Sequence, residues 1–235
     1  MFTTSEEAVQ GFYDGIFRFY EKANVLLTLG RIKAWRRRAA AVALSARPAR
    51  CADICCGTGE FSLLLKNLSP GISLTCVDFN EKMLEEARAK VPGAAFVLSS
   101  ARKIPFGDGE LDLATMAFAA RNLESQGILQ DVVAEIFRVL KPGGVFVNLE
   151  TNVPENALVR PFFSAYLRII SASLFPFRPG VRQAYRYLCE SAGTFGSVGI
   201  LAPLLESAGF ASVSAERMFF SLAAILKGTK PFPRS

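Results

Sequence analysis

The sequence predicts a doubly wound α/β fold: a mostly parallel sheet of the Rossmann-like kind with an antiparallel hairpin at its carboxy-terminal end. Three observations lead there. From about residue 50 to residue 150, short apolar runs of strand length alternate with stretches of helical periodicity, the pattern of parallel strands joined by crossover helices. The first of those runs, Cys51 to Cys56, leads straight into Gly57-Thr58-Gly59, a glycine turn of the type that brings backbone close to a ligand at the carboxyl ends of such strands. The tail carries two apolar runs, Ser212 to Phe219 and Leu222 to Lys227, with no helical stretch between them, which is hairpin spacing.

In chain order, residues up to about Ala46 read as an amino-terminal helical region. The first strand is followed by a helix from Glu60 to Asn67, stopped by Ser69-Pro70-Gly71. SLTCV makes a second strand ending at Asp78, and Asn80 then caps a helix with Met83, Leu84 and Ala87 on one face. AAFVL after Pro92-Gly93 is a third strand, and Leu111 to Phe118 a fourth. Ser125 is expected to cap a long helix carrying Ile128, Leu129, Val132, Ile136, Val139 and Leu140, which Lys141-Pro142-Gly143-Gly144 should end. VFVNLE is a fifth strand. Leu201, Leu204, Leu205 and Ala208 mark a further helix closed by Gly209; Pro203 calls for a late start, because proline is best tolerated in a first turn. One domain over 1–235 results, with the amino-terminal helices (about 1–46) and a helical insertion (about 154–196) expected to cover the substrate.

At 235 residues, 51% apolar and 20% charged, the chain can bury a sizeable core. Acidic Glu6 and Glu7 interrupt any secretory signal order at the amino terminus. The greasiest stretch, Leu167 to Phe177, is broken by Arg168 and Pro176, short of the ~20 apolar residues of a membrane span. Five cysteines, two adjacent at Cys55-Cys56, suit reduced core residues in a cytoplasmic protein better than a disulfide framework. The sequence holds no histidine, and Cys51, Cys76 and Cys189 lack metal-ligand spacing, so no metal is assigned. The net charge of +6 is concentrated at Arg31, Lys33, Arg36, Arg37 and Arg38, a run that reads either as a solvated helix face or as a patch for transient contact with an anionic membrane surface. No RNA-binding motif or aromatic-basic repeat accompanies it, so nucleic acid is not expected as a partner. Homo-oligomerisation is left open.

The constellation that carries chemistry is Asp53 through Gly59 leaving strand one, with Asp78 leaving strand two. An acid at that second position can hold ribose hydroxyls. Ser62 replaces the third glycine of a dinucleotide fingerprint and there is no phosphate loop, which disfavours dinucleotides and nucleoside triphosphates. S-adenosyl-L-methionine has no phosphate to cradle. Asp53 would then sit near its amino group, Gly57 to Gly59 along its length, and Ser100-Ala101 at the adenine edge, although Ser100 reads equally as a turn residue. Thr58, Phe79 and Ala117, beside the same strand ends, complete the candidate cofactor set.

The chain resembles the ubiquinone and menaquinone biosynthesis C-methyltransferases of the class I S-adenosylmethionine-dependent fold. The resemblance runs from FYEKAN and TLGRIKAWRRR through CCGTGE, VDFNEKML, KIPFGDGELD, Arg121-Asn122, RVLKPGG and LETNVP to YRYLCES at Tyr185 to Ser191. CGTG and LKPGG are common to many methyltransferases; the ordered set with Arg121-Asn122 and YRYLCES is much more specific. It implies cofactor contacts at Thr58, Asp78, Ser100 and Ala101, and a substrate pocket with Arg121, Asn122, Tyr185 and Tyr20. The chain departs from the family pattern at Ile32 (usually histidine), Ser100 (usually an acid or amide), Ala119 (usually glycine) and Phe219 to Ala224, where threonine and glycines are usual.

Carbon methylation of such a ring needs the reduced quinol, because a phenolate pushes electron density onto the carbon ortho to oxygen. Positioning the two reactants can itself remove ~7–11 kcal/mol of barrier. A guanidinium, permanently charged, can stabilise the phenolate oxygen, which makes Arg121 the first catalytic candidate; the alternative is a strand-end residue paired to a surface acid. Tyr185 and Tyr187 either hydrogen-bond the ring or pack. Glu150 either accepts the quinol proton or caps the following turn. Phe162, Phe163, Tyr166, Leu174 and Phe175 offer a route for a polyprenyl tail, or serve as helix packing.

Overall fold

A computed structural model describes residues 25, 28–154, 156–173, 186 and 194–233. Within it the apolar runs form the strands β1 (Arg50–Ile54), β2 (Ser73–Asp78), β3 (Ala95–Leu98), β4 (Leu111–Ala117), β5 (Leu140–Thr151), β6 (Ala211–Met218) and β7 (Ala223–Thr229). They make one sheet in the order β3-β2-β1-β4-β5-β7-β6. The first five run parallel, and β7 lies antiparallel between β5 and β6. The chain builds outward from β1 to β3, then returns to the other side of β1 to lay down β4 and β5. Connections from β1 and β4 therefore leave in opposite directions, and a crevice opens at their carboxyl ends.

Strand alternation sorts β5 between two cores. Val145, Val147 and Leu149 face α1 (Ile32–Leu44) and α2 (Glu60–Leu68), where Ile32, Trp35, Ala39, Phe61 and Leu65 are buried. Phe146 faces the opposite layer, made by α5 (Leu129–Val139) and α7 (Ser197–Ser207) with α4 (Ala120–Ser125) at its edge. The helix α3 (Glu81–Lys90) packs on β2 and β3, and Asn80 caps it by accepting the Met83 N–H at 3.1 Å. A further helix is α6 (Val159–Ser173), and no helix among the described residues is long and apolar enough to cross a membrane.

Three local expectations are corrected. Ser125 ends the short helix α4 instead of starting a long one: its hydroxyl donates back to the Asn122 carbonyl at 2.8 Å, and Gly127, at φ 72°, separates α4 from α5 as left-handed glycines commonly do. Lys141 to Gly144 do not merely stop a helix. Leu140 already pairs with Leu111, and Gly143 and Gly144 exchange hydrogen bonds of 2.8 and 2.9 Å with Lys230 at the end of β7. Pro203 lies inside α7, which starts at Ser197. That early start is set from outside the helix, by Asn152 Oδ1 accepting from the Ser197 hydroxyl at 3.2 Å and the Val198 N–H at 3.4 Å.

The basic run on α1 is not one solvated face. Arg38 makes a two-pronged ion pair with Glu216 at 2.7 and 2.8 Å. The Arg31 guanidinium lies 3.8 Å over the Phe219 ring, and Arg36 is buried. Lys33 and Arg37 remain exposed.

Between β6 and β7, Phe219, Phe220 and Ser221 all have positive φ, at 43°, 54° and 64°. These lie in the segment where the sequence departs from a threonine and glycine pattern. A left-handed L-residue costs ~1–2 kcal/mol. The turn is held by Asn152, whose amide donates to the Ser221 carbonyl at 3.1 Å and whose N–H donates to the Leu222 carbonyl at 2.9 Å. Phe220 is 66% exposed, so its ring contributes little burial. Phe220→Gly is expected to raise the unfolding free energy by up to about 1 kcal/mol, once the greater freedom of glycine in the unfolded chain is subtracted. Urea denaturation measures it; a loss of stability would mean that ring packing on Phe219 outweighs the backbone strain.

Candidate functional site

Three left-handed residues, Cys55 at φ 55°, Gly57 at 55° and Gly59 at 77°, turn the chain from β1 into α2. The two glycines serve different ends. A Cβ on Gly59 would stand 2.9 Å from Val91 Cγ2 and 3.0 Å from Ala87 Cβ, so this position lets the loop close against α3. A Cβ on Gly57 would meet no protein atom within 4 Å; it faces open space. Asp78, at the end of β2 and 6% exposed, holds this loop with one oxygen, accepting the Gly57 N–H at 2.8 Å, and its own turn with the other, accepting the Asn80 N–H at 3.0 Å. Burial pushes the Asp78 carboxyl up, and the Asn80, Gly57 and Phe79 N–H groups oppose that shift. Each oxygen keeps further acceptor capacity.

Asp53, one residue before the end of the adjacent strand β1, is 1% exposed. Its oxygens accept from the Ser62 hydroxyl and, at 2.8 Å, from the Thr115 hydroxyl on β4. Burial raises its pKa to about 6, with Asp78 adding to the shift and Ser62, Thr115 and Arg36 opposing it. Two buried carboxylates thus stand at the switch point, where a ligand with hydroxyl and ammonium groups would satisfy them.

A crevice opens over these residues at the carboxyl ends of the strands. Of the candidate residues, Asp53, Gly57, Thr58, Asp78, Phe79, Ala117 and Asn122 line it. Gly59 supports the loop from behind. Ser100 and Ala101 are not among the lining residues: the Ser100 hydroxyl accepts the Arg102 N–H at 3.3 Å, a turn contact, and Ala101 is buried in the core with Ile104. Arg36, Met83 and Phe118 also line the crevice and were missed. The signal for Arg36 was present, since it falls at helical spacing with buried Ile32, Ala39, Ala40 and Ala43, on the stripe that must face inward.

Arg121 and Glu150 lie beside this crevice and not in its lining. Arg121 is the second residue of α4, 7% exposed, so it is neither a strand-end residue nor matched to a surface acid. Its Nη1 donates to Thr151 Oγ1 at 3.3 Å, and its Nε is buried without a hydrogen-bond partner. Glu150 is wholly buried; its carboxylate accepts from the Thr151 N–H at 2.8 Å, the Thr151 hydroxyl at 3.0 Å and the Arg121 N–H at 3.3 Å. Burial raises the Glu150 pKa, and the Arg121 charge is the largest opposing influence. Phe162 is 77% exposed on α6, while Phe163 and Tyr166 pack on Leu167 and Ile170. Tyr20, Tyr185, Tyr187, Leu174 and Phe175 lie outside the described residues. Among the described residues no group of three His, Cys, Asp or Glu side chains could hold a metal ion.

A family model described as the ubiE/COQ5 methyltransferase family matches residues 1–230. The chain is 34% identical over 229 residues to a demethylmenaquinone methyltransferase of Lactiplantibacillus plantarum, covering 94% of this chain and 95% of that protein. It is 36% identical over 216 residues to the demethylmenaquinone methyltransferase of Thermus thermophilus, covering 90% and 96%. Among solved structures, a SAM-dependent methyltransferase of Thermotoga maritima superposes with a TM-score of 0.61 at 19% identity, over 93% of this chain and 98% of that one. Human N-acetylserotonin methyltransferase in complex with SAM gives a TM-score of 0.58 at 18% identity, over 94% of this chain and 59% of that one. At those identities the structures establish the fold.

The Asp53 carboxyl generates a prediction for the ligand-free protein. Its folded pKa of about 6 lies above the ~3.9 of an unfolded aspartate, so the stability it contributes is full below pH ~4 and is lost as pH rises through 6. The difference amounts to about 3 kcal/mol. Asp53→Asn should therefore gain on the wild type between pH 4 and pH 7 when the two are compared by denaturant unfolding. Parallel stability profiles would mean that Asp53 is already ionised throughout.

Proposed function

The chain belongs to the ubiE/COQ5 methyltransferase family and is an S-adenosylmethionine-dependent methyltransferase; from that premise we propose that it methylates a ring carbon of a reduced polyprenyl quinol in quinone biosynthesis. The names of the relatives, demethylmenaquinone methyltransferase among them, support this acceptor class. The observation that carries the chemistry is the buried Arg121 guanidinium with its unpartnered Nε. Leaving such a donor unsatisfied costs ~1–3 kcal/mol or more, and an oxyanion is the partner that would recover it.

The cofactor, when bound, supplies a methyl group on a positively charged sulfur. The residues at the switch point fit it. In this reading Asp78 accepts the ribose hydroxyls on its remaining lone pairs, Asp53 receives the ammonium, and Gly57 and Thr58 lie along the cofactor, with Phe79 and Ala117 beside it. Arg121 stabilises the phenolate oxygen of the acceptor, and Asn122 orients the ring from the next position. Glu150, with its oxygens engaged by Thr151 and the Arg121 backbone, holds Arg121 in place more readily than it takes the quinol proton. Tyr20, Tyr185 and Tyr187, which lie outside the described residues, remain candidates for binding the acceptor ring. Transient contact with an anionic membrane surface completes the reading, supported by exposed Lys33 and Arg37 and by exposed Leu158, Phe162 and Ile169 on or just before α6.

The acceptor is tested by methyl transfer to demethylmenaquinol, to a demethylated ubiquinol precursor, to the oxidised quinones and to a short phenol, each presented in phosphatidylglycerol or neutral vesicles. Turnover of a quinol alone, with co-sedimentation on the anionic vesicles, is expected. Turnover of the short phenol only would replace the quinol by a small lipophilic phenol, and activity without sedimentation would remove the membrane contact.

Arg121→Met should leave S-adenosylmethionine affinity within a few-fold and reduce turnover about 100- to 1,000-fold, the usual effect of losing a preorganised donor to a developing oxyanion. Arg121→Lys should recover part, since an ammonium keeps the charge and loses the planar fork. With circular dichroism melts showing folded variants, near-normal turnover of Arg121→Met at saturating quinol would end the catalytic assignment.

A further inference from the structure

We propose that the β6–β7 turn and α6 form one surface that dips into an anionic bilayer, with Phe220, Phe162 and Ile169 entering its apolar layer and flanking arginines meeting the headgroups. The inference deepens the membrane contact proposed above and rests on it. It begins with Phe220, which is held at φ 54° although its side chain is 66% exposed. A left-handed position favours glycine, so an aromatic residue there is strained, and burial within the chain does little to offset the strain. An apolar phase outside the chain would offset it.

The same mismatch recurs on α6. Phe163, Tyr166, Leu167 and Ile170 form its packed side, and Phe163 also packs on the buried cluster that Phe219 meets. Phe162 and Ile169 are two turns apart and therefore share another side of the helix; they are 77% and 66% exposed, and Leu158, just ahead of the helix, is as exposed as Phe162. Two links bring this stripe to the turn. Asn152, a short way before Leu158 in the chain, donates to the Ser221 and Leu222 carbonyls at 3.1 and 2.9 Å, and the Phe219 ring that shares a cluster with Phe163 lies 5.1 Å from the Phe220 ring. Because Ala223 pairs with Thr151, the turn stands at the carboxyl ends of the parallel strands, the end where the crevice opens.

Charge selects the occupant. Between Glu155 and Glu190 the sequence has five arginines and no acid; Arg160 and Arg168 on α6 are exposed, and Glu216, the acid on β6, is taken up by Arg38. A second copy presenting the same surface would oppose like charges, whereas anionic headgroups complement them around an inserted apolar stripe.

Binding of the full chain to phosphatidylglycerol and phosphatidylcholine vesicles is measured by co-sedimentation at low and high salt. Phe220→Gly suits the left-handed position and Phe162→Ser changes an exposed side chain, so both variants should fold. Each is expected to weaken binding to phosphatidylglycerol about 10-fold, the effect of keeping an aromatic ring out of an apolar phase, and that loss should persist at high salt. Arg168→Gln should weaken it about fivefold at low salt and little at high salt, since only the charge is screened. Depth is read with Phe220→Trp, whose added fluorescence should shift to the blue and be quenched by lipids brominated in their acyl chains; buried Trp35 in the wild type gives the background. Wild-type binding by either Phe220→Gly or Phe162→Ser, or no quenching of Phe220→Trp, overturns the insertion. If the wild type then still binds phosphatidylglycerol and is released by salt, the membrane contact stands and is electrostatic alone. A wild type that ignores the vesicles removes that contact and this proposal together, and a dimer dissolved by Phe162→Ser would then assign the face to a second copy of the chain.

Discussion

The hydrogen bond from the Gly57 N–H to Asp78 at 2.8 Å is the constraint from which the site follows. It ties the loop leaving β1 to the end of β2, and the other Asp78 oxygen ties the start of α3 to the same carboxylate. The loop can take its left-handed turns at Cys55, Gly57 and Gly59 because its ends are held this way and because Gly59 presents no Cβ to Val91 and Ala87. A carboxylate in this position does two jobs at once. It anchors the backbone through N–H donors, which stabilise its charge against burial, and it presents its remaining lone pairs to the crevice.

A second organising feature is polar and runs along β5. Asn148, Glu150 and Asn152 alternate onto one side of the strand and are all buried. Glu150 holds the first turn of α4, and Asn152 holds the start of α7 and the β6–β7 turn. Buried polar groups of this kind add little net stability, yet they penalise any arrangement that breaks their pairing. They set where α4 and α7 begin and hence where the Arg121 side chain stands. Asn148 is the exception, with both side-chain amide atoms buried and without a partner, and the structure offers no physical account of it.

The basic helix α1 shows how one charge run can divide among roles. Arg38 reaches Glu216 on β6, Arg31 covers Phe219, and Arg36 turns inward to the crevice. The contacts of Arg38 and Arg31 join α1 to the carboxy-terminal hairpin, so the hairpin that departs from the family pattern at Phe219 to Ala224 is packed against the helix that borders the switch-point crevice.

What the sequence by itself determined was periodic or local. Apolar runs of strand length, helical spacing, the glycine turn after β1 and the Asn80 cap depend on neighbours in the chain, and from them came the parallel sheet, the closing hairpin, and the crevice-lining positions of Asp53, Gly57, Thr58 and Asp78; Asn122 came from the family resemblance. Tertiary structure decided what depends on distant partners. Ser125 is a local exception: it ends a helix because Gly127, two residues on, breaks the chain. The start of α7, ahead of Pro203, is set by Asn152 from a strand far away in sequence, and the left-handed Phe219-Phe220-Ser221 turn is tied down by the same residue. Arg36 looked like one of a solvated row because charge is read residue by residue, whereas burial is read from the stripe it shares with Ile32 and Ala39. Ser100 and Glu150 were ambiguous for the same reason: a polar side chain at a strand end can face a ligand or its own turn, and only the packed neighbours choose between them.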